Sequence, residues 1–236
     1  RSRGLGDVYK RQTECRTTIR ATRGGGKVCS QALACQVREN AKEHFYGWYD
    51  LGGVIHSPII AIRNSQYKIR FILNQKGVVA YDNTICFIPK IELTLLQIKS
   101  LLAYLNSSFA HLYVESEGVI SGGGIIQLNA QDAEEMPILD VRKLPQEDLY
   151  SLASLFDKLE VTARKIGGAD KFESVEKLWD TVIEEIDMEI ARILQLPDGF
   201  AKKAKMIGKA MMRRRIQRAE KARPEAIKGE EVPRIR

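Results

Sequence analysis

The chain has 236 residues, 44% of them hydrophobic, and a formal net charge of +7. That is enough for one domain with a sizeable core plus a helical extension, or for two small domains. No run approaches the roughly 18 to 20 uninterrupted apolar residues of a membrane span, and the amino terminus lacks the apolar segment of a secretory signal, so the expectation is a soluble cytoplasmic protein with no membrane association.

The charge is uneven. Residues 1–44 carry ten Lys/Arg against four Asp/Glu, residues 45–200 fourteen against twenty-two, and residues 201–236 thirteen against four, giving +6, −8 and +9. The basicity sits at the two ends, which argues against a central domain that is a simple cationic surface for an acidic partner. Cys15, Cys29, Cys35 and Cys86 have neither Cys-x-x-Cys spacing nor the density of a disulfide scaffold, and read as reduced thiols. His44, His56 and His111 form no His-x-x-x-His pair, so no transition-metal site is expected.

The opening Arg3-Gly4-Leu5-Gly6-Asp7-Val8-Tyr9-Lys10-Arg11-Gln12 resembles the translation of a sequencing adaptor. From there to about Lys42 no apolar period is sustained, and residues 1–44 read as a disordered or artefactual leader. Gly24 to Lys27 lacks both the Gly-x-x-x-x-Gly-Lys-Ser/Thr spacing and the preceding apolar strand of a phosphate loop.

A folded domain begins at Phe45, where Phe45, Tyr46, Trp48 and Tyr49 lead into Val54, Ile55, Ile59, Ile60 and Ile62. Lys68 to Leu73 and Val79 to Ile88 partly alternate polar and apolar around a turn at Asn74 to Gly77, which predicts a β-hairpin. Thr94 and Gln97 match a capping box, and Leu95, Ile98, Leu102, Leu105, Phe109 and Leu112 recur at helical spacing, predicting one amphipathic helix of about 20 residues. It breaks near Gly118. Ser121-Gly122-Gly123-Gly124 is a flexible loop before the apolar run Ile125, Ile126, Leu128, and Met136-Pro137-Ile138-Leu139 reads as an edge or terminal strand.

After Leu144 the pattern is purely helical. Leu149, Leu152, Phe156, Leu159, Ala163 and Ile166 form one stripe that stops at Gly167-Gly168; Phe172, Val175, Trp179, Val182, Ile186, Ile190 and Ile193 form a second that ends at Leu196-Pro197-Asp198-Gly199. Two such stripes would bury each other as an antiparallel helical hairpin. A third helix, Phe200 to Ala222, is basic, and Arg223 to Arg236 is a charged tail. The fold class is therefore α+β: a small mixed α/β domain over residues 45–143, the helical hairpin over 144–197, and a basic helix and tail over 198–236.

The segment from Trp48 to Val141 resembles the TaqI-like carboxy-terminal specificity domain of adenine-specific (N6) DNA methyltransferases from restriction-modification systems. The resemblance is carried by an ordered set: Ser57-Pro58-Ile59-Ile60-Ala61, the Arg70-Phe71 to Asp82-Asn83-Thr84 hairpin, Tyr104-Leu105-Asn106-Ser107-Ser108, Gly122-Gly123-Gly124 before Leu128, and Met136-Pro137-Ile138. It implies a domain that reads a short sequence in double-stranded DNA while a separate catalytic domain flips the target adenine and methylates it. The glycine-bearing S-adenosylmethionine loop and the Asn-Pro-Pro-Tyr type motif of that catalytic domain are not in this sequence; no two prolines are adjacent. The expectation is a carboxy-terminal fragment with no catalytic, cofactor or metal residues of its own, whose partners are double-stranded DNA and the missing catalytic domain and whose parent enzyme uses S-adenosylmethionine.

A DNA reader needs cations for phosphates and planar hydrogen-bonding side chains for base edges. Arg63, Asn64, Gln66, Tyr67, Lys68 and Arg70 supply both types within eight residues. Lys76, Tyr81 and Asn83 could form a second reading edge or an ordinary turn. Asn106-Ser107-Ser108 is more simply read as bonding to local backbone. Gly122, Gly123 and Gly124 would let backbone approach a sugar-phosphate, or form a slack connection. Arg213, Arg214 and Arg215, with Lys202, Lys203, Lys205 and Lys209, suit sequence-independent phosphate contact. The rival reading is a non-enzymatic interaction protein whose hairpin docks a partner while the tail holds nucleic acid.

Overall fold

The computed structural model describes residues 57–77, 83–168 and 171–222, together with the backbone of Thr18–Ile19 and Lys27–Val28. The chain divides into two compact units, Arg1–Val54 and Ile55–Arg236. In the first, strands β1 (Thr18–Ile19) and β2 (Lys27–Val28) pair antiparallel, with Thr18 opposite Val28. This short ladder lies in a stretch where the absence of apolar period predicts only loop. The rest of 1–44, and the tail after 222, lie outside the described residues.

The second unit is α+β. Strand β3 (Ile59–Ile62) stands between β5 (Phe71–Leu73) and β6 (Thr84–Phe87), antiparallel to both. The predicted hairpin is thus corrected: β5 and β6 do not pair with each other, because β3 takes the centre. Its Ile59 and Ala61 side chains are fully buried, and a central strand is the place where an Ile-Ile-Ala-Ile run loses most water-exposed surface. A second antiparallel sheet has the order β4 (Asn64–Ser65), β8 (Ile125–Gln127), β7 (Val119–Ser121). Arg63 joins the two sheets: its N–H donates to the Asn83 carbonyl at 3.0 Å and its carbonyl accepts from Leu128 N–H at 3.0 Å.

The expected long helix after Thr94 is two helices. The capping box forms, Gln97 N–H donating to Thr94 Oγ1 and Thr94 N–H to Gln97 Oε1, and starts α1 (Leu95–Leu105). Asn106 then leaves the helix because its amide bridges Phe71, accepting from the Phe71 N–H at 3.3 Å and donating to the Phe71 carbonyl at 2.9 Å. Ser107 caps the new helix α2 (Ser108–Glu117) by accepting from Ala110 N–H. Buried side-chain amides that satisfy a strand's backbone outcompete one more turn of helix. The local bonding expected here is what Ser107 shows; Asn106 donates locally to the Leu102 carbonyl at 2.9 Å, but its bridge to Phe71 reaches 35 residues away.

A short helix α3 (Ala130–Glu134) follows β8. Met136 to Leu139 pairs with no strand, so the edge or terminal strand expected there is corrected to coil. Met136 and Leu139 still enter the core. Helix α4 (Gln146–Lys165) ends at Gly167 and Gly168, whose φ of 80° and 95° only glycine adopts easily. Helix α5 (Phe172–Leu178), a π-helical turn (Trp179–Ile183) and α6 (Glu184–Ile193) run on as one rod. After the break at Pro197 comes α7 (Phe200–Ala222).

The two helical stripes do face each other, but α4 packs most extensively on α1, and α7 packs on α2 and α6. Leu152, Phe156, Trp179, Val182, Ile186 and Ile190 are buried in the same core as Ile59, Leu102 and Ile126. The stripes are therefore used up inside the molecule, which removes the motive for reading them as a partner-docking face. No helix among the described residues is long and apolar enough to cross a membrane.

Candidate nucleic-acid interface

At the junction of the two sheets, planar polar side chains converge. Arg63 donates through Nη2 to Asn129 Oδ1 at 3.1 Å; the Gln127 amide, turned so that its oxygen faces the guanidinium, accepts from Arg63 Nη2 at 2.9 Å and Nε at 3.0 Å. Asn64 Nδ2 donates to Asn83 Oδ1 at 2.6 Å, and both residues are exposed. Register explains the grouping. Asn64 lies opposite Gln127 across the β4–β8 ladder, and Asn83 is tied to Arg63 by the backbone. Arg63, Asn64 and Asn83 were legible as candidates; Gln127 and Asn129 were missed. Their signal is alternation, since Gln127 and Asn129 interleave with the fully buried Ile126 and Leu128 and so point away from the core. An Arg and four amides carry the donor and acceptor sets that match base edges, and here Arg63 bonds to Gln127 and Asn129 while Asn64 bonds to Asn83.

The loop after β4 behaves differently. Gln66 is exposed, and the Tyr67 ring rests against Phe172 with centroids 6.0 Å apart. Lys68 is only 6% exposed and donates to the Ser107 carbonyl at 3.3 Å. Burial lowers its amine to a pKa of about 8, against the attraction of Asp187 and Glu115. Lys68 as a phosphate contact is therefore corrected: the next residue, Ile69, is a core side chain, and the bend that seats it carries Lys68 inward as well. Arg70 is half-buried beside Phe71 and Asn106. Lys76 is exposed in the turn beyond β5, next to the Pro58 end of β3 and so roughly 15 Å from Arg63 by strand length. The structure does not bring it to the Arg63 cluster. Tyr81 lies outside the described residues.

The glycine run is a tight turn joining β7 to β8, with Gly123 and Gly124 at φ 75° and 74°. Gly122 and Gly123 are exposed, and a Cβ on either would meet nothing within 4 Å. Gly124 is buried: a Cβ there would lie 2.9 Å from the Ala219 Cβ and 3.4 Å from the Arg215 carbonyl oxygen. Close approach of backbone is the right reason for glycine at 124, but what approaches is α7 and not a sugar-phosphate.

The cations of α7 fall into three groups. Lys205, Lys209 and Arg213 face Glu176, Asp180 and Glu184, a row at four-residue spacing on the neighbouring helical rod. Lys205 Nζ lies 2.8 Å from Asp180 and 2.9 Å from Glu184, Lys209 Nζ lies 3.2 Å from Asp180, and Arg213 pairs with Glu176. Arg213 also sits 5.8 Å over the Phe172 ring. Arg215 is 4% exposed and makes a two-pronged pair with Glu115, Nη2 to Oε1 at 2.7 Å and Nε to Oε2 at 3.0 Å. Arg215 as a phosphate contact is thus corrected: helical spacing aims it inward, where Glu115 of α2 waits. Lys202, Lys203, Arg214, Arg218 and Lys221 are exposed and in no ion pair among the described residues; Lys202 lies beside Lys205, and the other four share the remaining flank. Arg214 keeps its predicted place at the surface; the neighbours that share its flank, Arg218 and Lys221, were not singled out.

Comparison with known proteins gives one family. The model described as type II methyltransferase M.Eco57I, C-terminal domain, matches residues 23–180. No curated protein and no solved structure matches the chain.

Proposed function

Since this chain belongs to the family of the type II methyltransferase M.Eco57I C-terminal domain, we propose that it is the DNA target-recognition part of an adenine-N6 DNA methyltransferase of a restriction-modification system, resembling the TaqI-like specificity domains. Its partners are double-stranded DNA and the catalytic part of its parent enzyme, which binds S-adenosylmethionine and flips the adenine; the site of action is the cytoplasm. One observation carries the reading: Arg63, Asn64, Asn83, Gln127 and Asn129 meet at one sheet junction, with Arg63 bonded to Gln127 and Asn129 and Asn64 bonded to Asn83. Such a set can exchange these internal bonds for base-edge bonds, so that the groups they hold are partnered in both states. Lys203, Arg214, Arg218 and Lys221 of α7 supply phosphate contacts that carry no sequence information.

The test is selection of duplexes by the chain from a pool with a randomised central segment. Arg63→Ala should weaken binding to the selected duplex about 10- to 100-fold, in line with roughly 1–3 kcal/mol per lost Arg–base pairing, and barely alter binding to a scrambled duplex. Equal loss on both duplexes would overturn the assignment of Arg63 to base reading. Methylation of the selected duplex by the parent enzyme, followed by nucleoside mass analysis, tests the adenine-N6 assignment: methylcytosine in place of N6-methyladenine would refute it.

A further inference from the structure

The guanidinium of Arg215 has five N–H donors, and the fold gives each one its own acceptor. Nε and one Nη2 hydrogen go to Glu115; the other Nη2 hydrogen goes to the Tyr67 carbonyl at 3.2 Å; the two Nη1 hydrogens go to the Gln66 carbonyl at 3.0 Å and to the Gly124 carbonyl. Three of those acceptors belong to two separate surface elements, the loop after β4 and the glycine turn between β7 and β8. No other described side chain bonds to both. Each element has an exposed part next to the bonded carbonyl, Gln66 itself in one and Gly122 and Gly123 in the other.

Glu115, 7% exposed, fixes the guanidinium's plane from α2, and a planar fork held on two sides has no rotational freedom left. His111 does not compete for Glu115 as a cation. Burial, with the charges of Lys68 and Arg215 adding to it, drives the imidazole's pKa well below its ordinary range, so it stays neutral. Gly124 lets the Arg215 turn of α7 come into direct contact with the glycine turn.

We infer that Arg215 is a specificity-determining positioning residue: from the interior it sets the spacing between the Gln66–Tyr67 loop and the Gly122–Gly124 turn, so that the two enter the duplex as one rigid edge, while Arg215 touches no DNA. The inference rests on the target-recognition reading above. A lysine cannot replace it, because an ammonium has three donors and no planar fork for Glu115 and three carbonyls.

The experiment measures, for the full chain, affinity for the duplex it selects and for a scrambled duplex of equal length. Arg215→Lys is compared with Arg214→Ala, at a temperature where circular dichroism shows both folded. Arg215→Lys should reduce the ratio of the two affinities by about tenfold or more and leave the scrambled duplex within about twofold of the unaltered chain. Arg214→Ala should weaken both alike and keep the ratio. Should Arg215→Lys not fold, Glu115→Gln serves in its place: it turns one acceptor oxygen into a donor facing Arg215 and should produce the same loss of ratio. If the unaltered chain selects no duplex, the recognition reading itself fails and the inference with it. If it selects one and the variant keeps the ratio within about twofold, or loses both affinities together, the recognition reading stands and the positioning role of Arg215 is overturned.

Discussion

Gly123 and Gly124 sit at nearly the same φ, 75° and 74°, yet only the second faces α7. An alanine at either position costs about 1–2 kcal/mol for the left-handed conformation. At Gly123 nothing lies within 4 Å, so that strain is the whole cost. At Gly124 the new methyl would fall 2.9 Å from the Ala219 Cβ, against backbone that cannot swing away, and overpacking of this kind adds roughly 1–3 kcal/mol. Gly123→Ala should therefore lower the unfolding free energy by about 1–2 kcal/mol and Gly124→Ala by about 2–5 kcal/mol, read from urea titrations with an unchanged slope. The clash partner can be removed. Ala219→Gly costs about 1 kcal/mol alone as a helix glycine, but in the Gly124→Ala background it should return part of the loss, giving a coupling energy of about 1–2 kcal/mol. Equal costs at the two glycines, with no coupling to Ala219, would refute the docking of the glycine turn on α7.

Asp187 is buried and accepts from Ser108 N–H at 2.7 Å; desolvation raises its carboxyl to about 6, against those bonds and the charge of Lys68. The folded chain thus holds a proton more tightly than the unfolded one, so this group's contribution is greatest below about pH 4 and is lost as pH rises through about 6. Asp187→Asn should flatten the stability profile across that window by roughly 2–3 kcal/mol, measured by denaturant titration at successive pH values; an unchanged profile would contradict the burial. Glu176→Gln, Asp180→Asn and Glu184→Gln together should free Lys205, Lys209 and Arg213 and steepen the log–log salt dependence of binding to a scrambled duplex by up to about 3, at about 0.9 per phosphate neutralised. No change would mean that these cations face away from DNA. Asn106→Ala strips partners from the buried Phe71 N–H and carbonyl and should cost about 2–4 kcal/mol by calorimetry, a loss that a freely solvated Asn106 would not produce.

Local chemistry in the sequence determined where most helices start and stop. The capping box at Thr94, the glycines at 167 and 168, and the proline and glycine before Phe200 act within a few residues, and the structure places helix ends at each. Apolar stripes also foretold which faces of α4 and of the Phe172–Ile193 rod are buried, because helical spacing alone fixes a face. What spacing leaves open is the partner across the core. Nothing near Ile59 says that β3 will separate β5 from β6, and nothing near Asn106 says that its amide will serve Phe71, 35 residues away, and split a helix in two. The candidate interface divides along the same line. Arg63, Asn64 and Asn83 could be chosen by residue type, whereas Gln127 and Asn129 joined them only through strand register. Arg213, Arg214 and Arg215 are identical neighbours in sequence, yet one pairs with Glu176, one faces water and one binds Glu115 and the Gln66 carbonyl, 100 and 149 residues distant. A charge's fate depends on which groups surround it, and only the tertiary structure brings groups so far apart in the chain to within 3 Å.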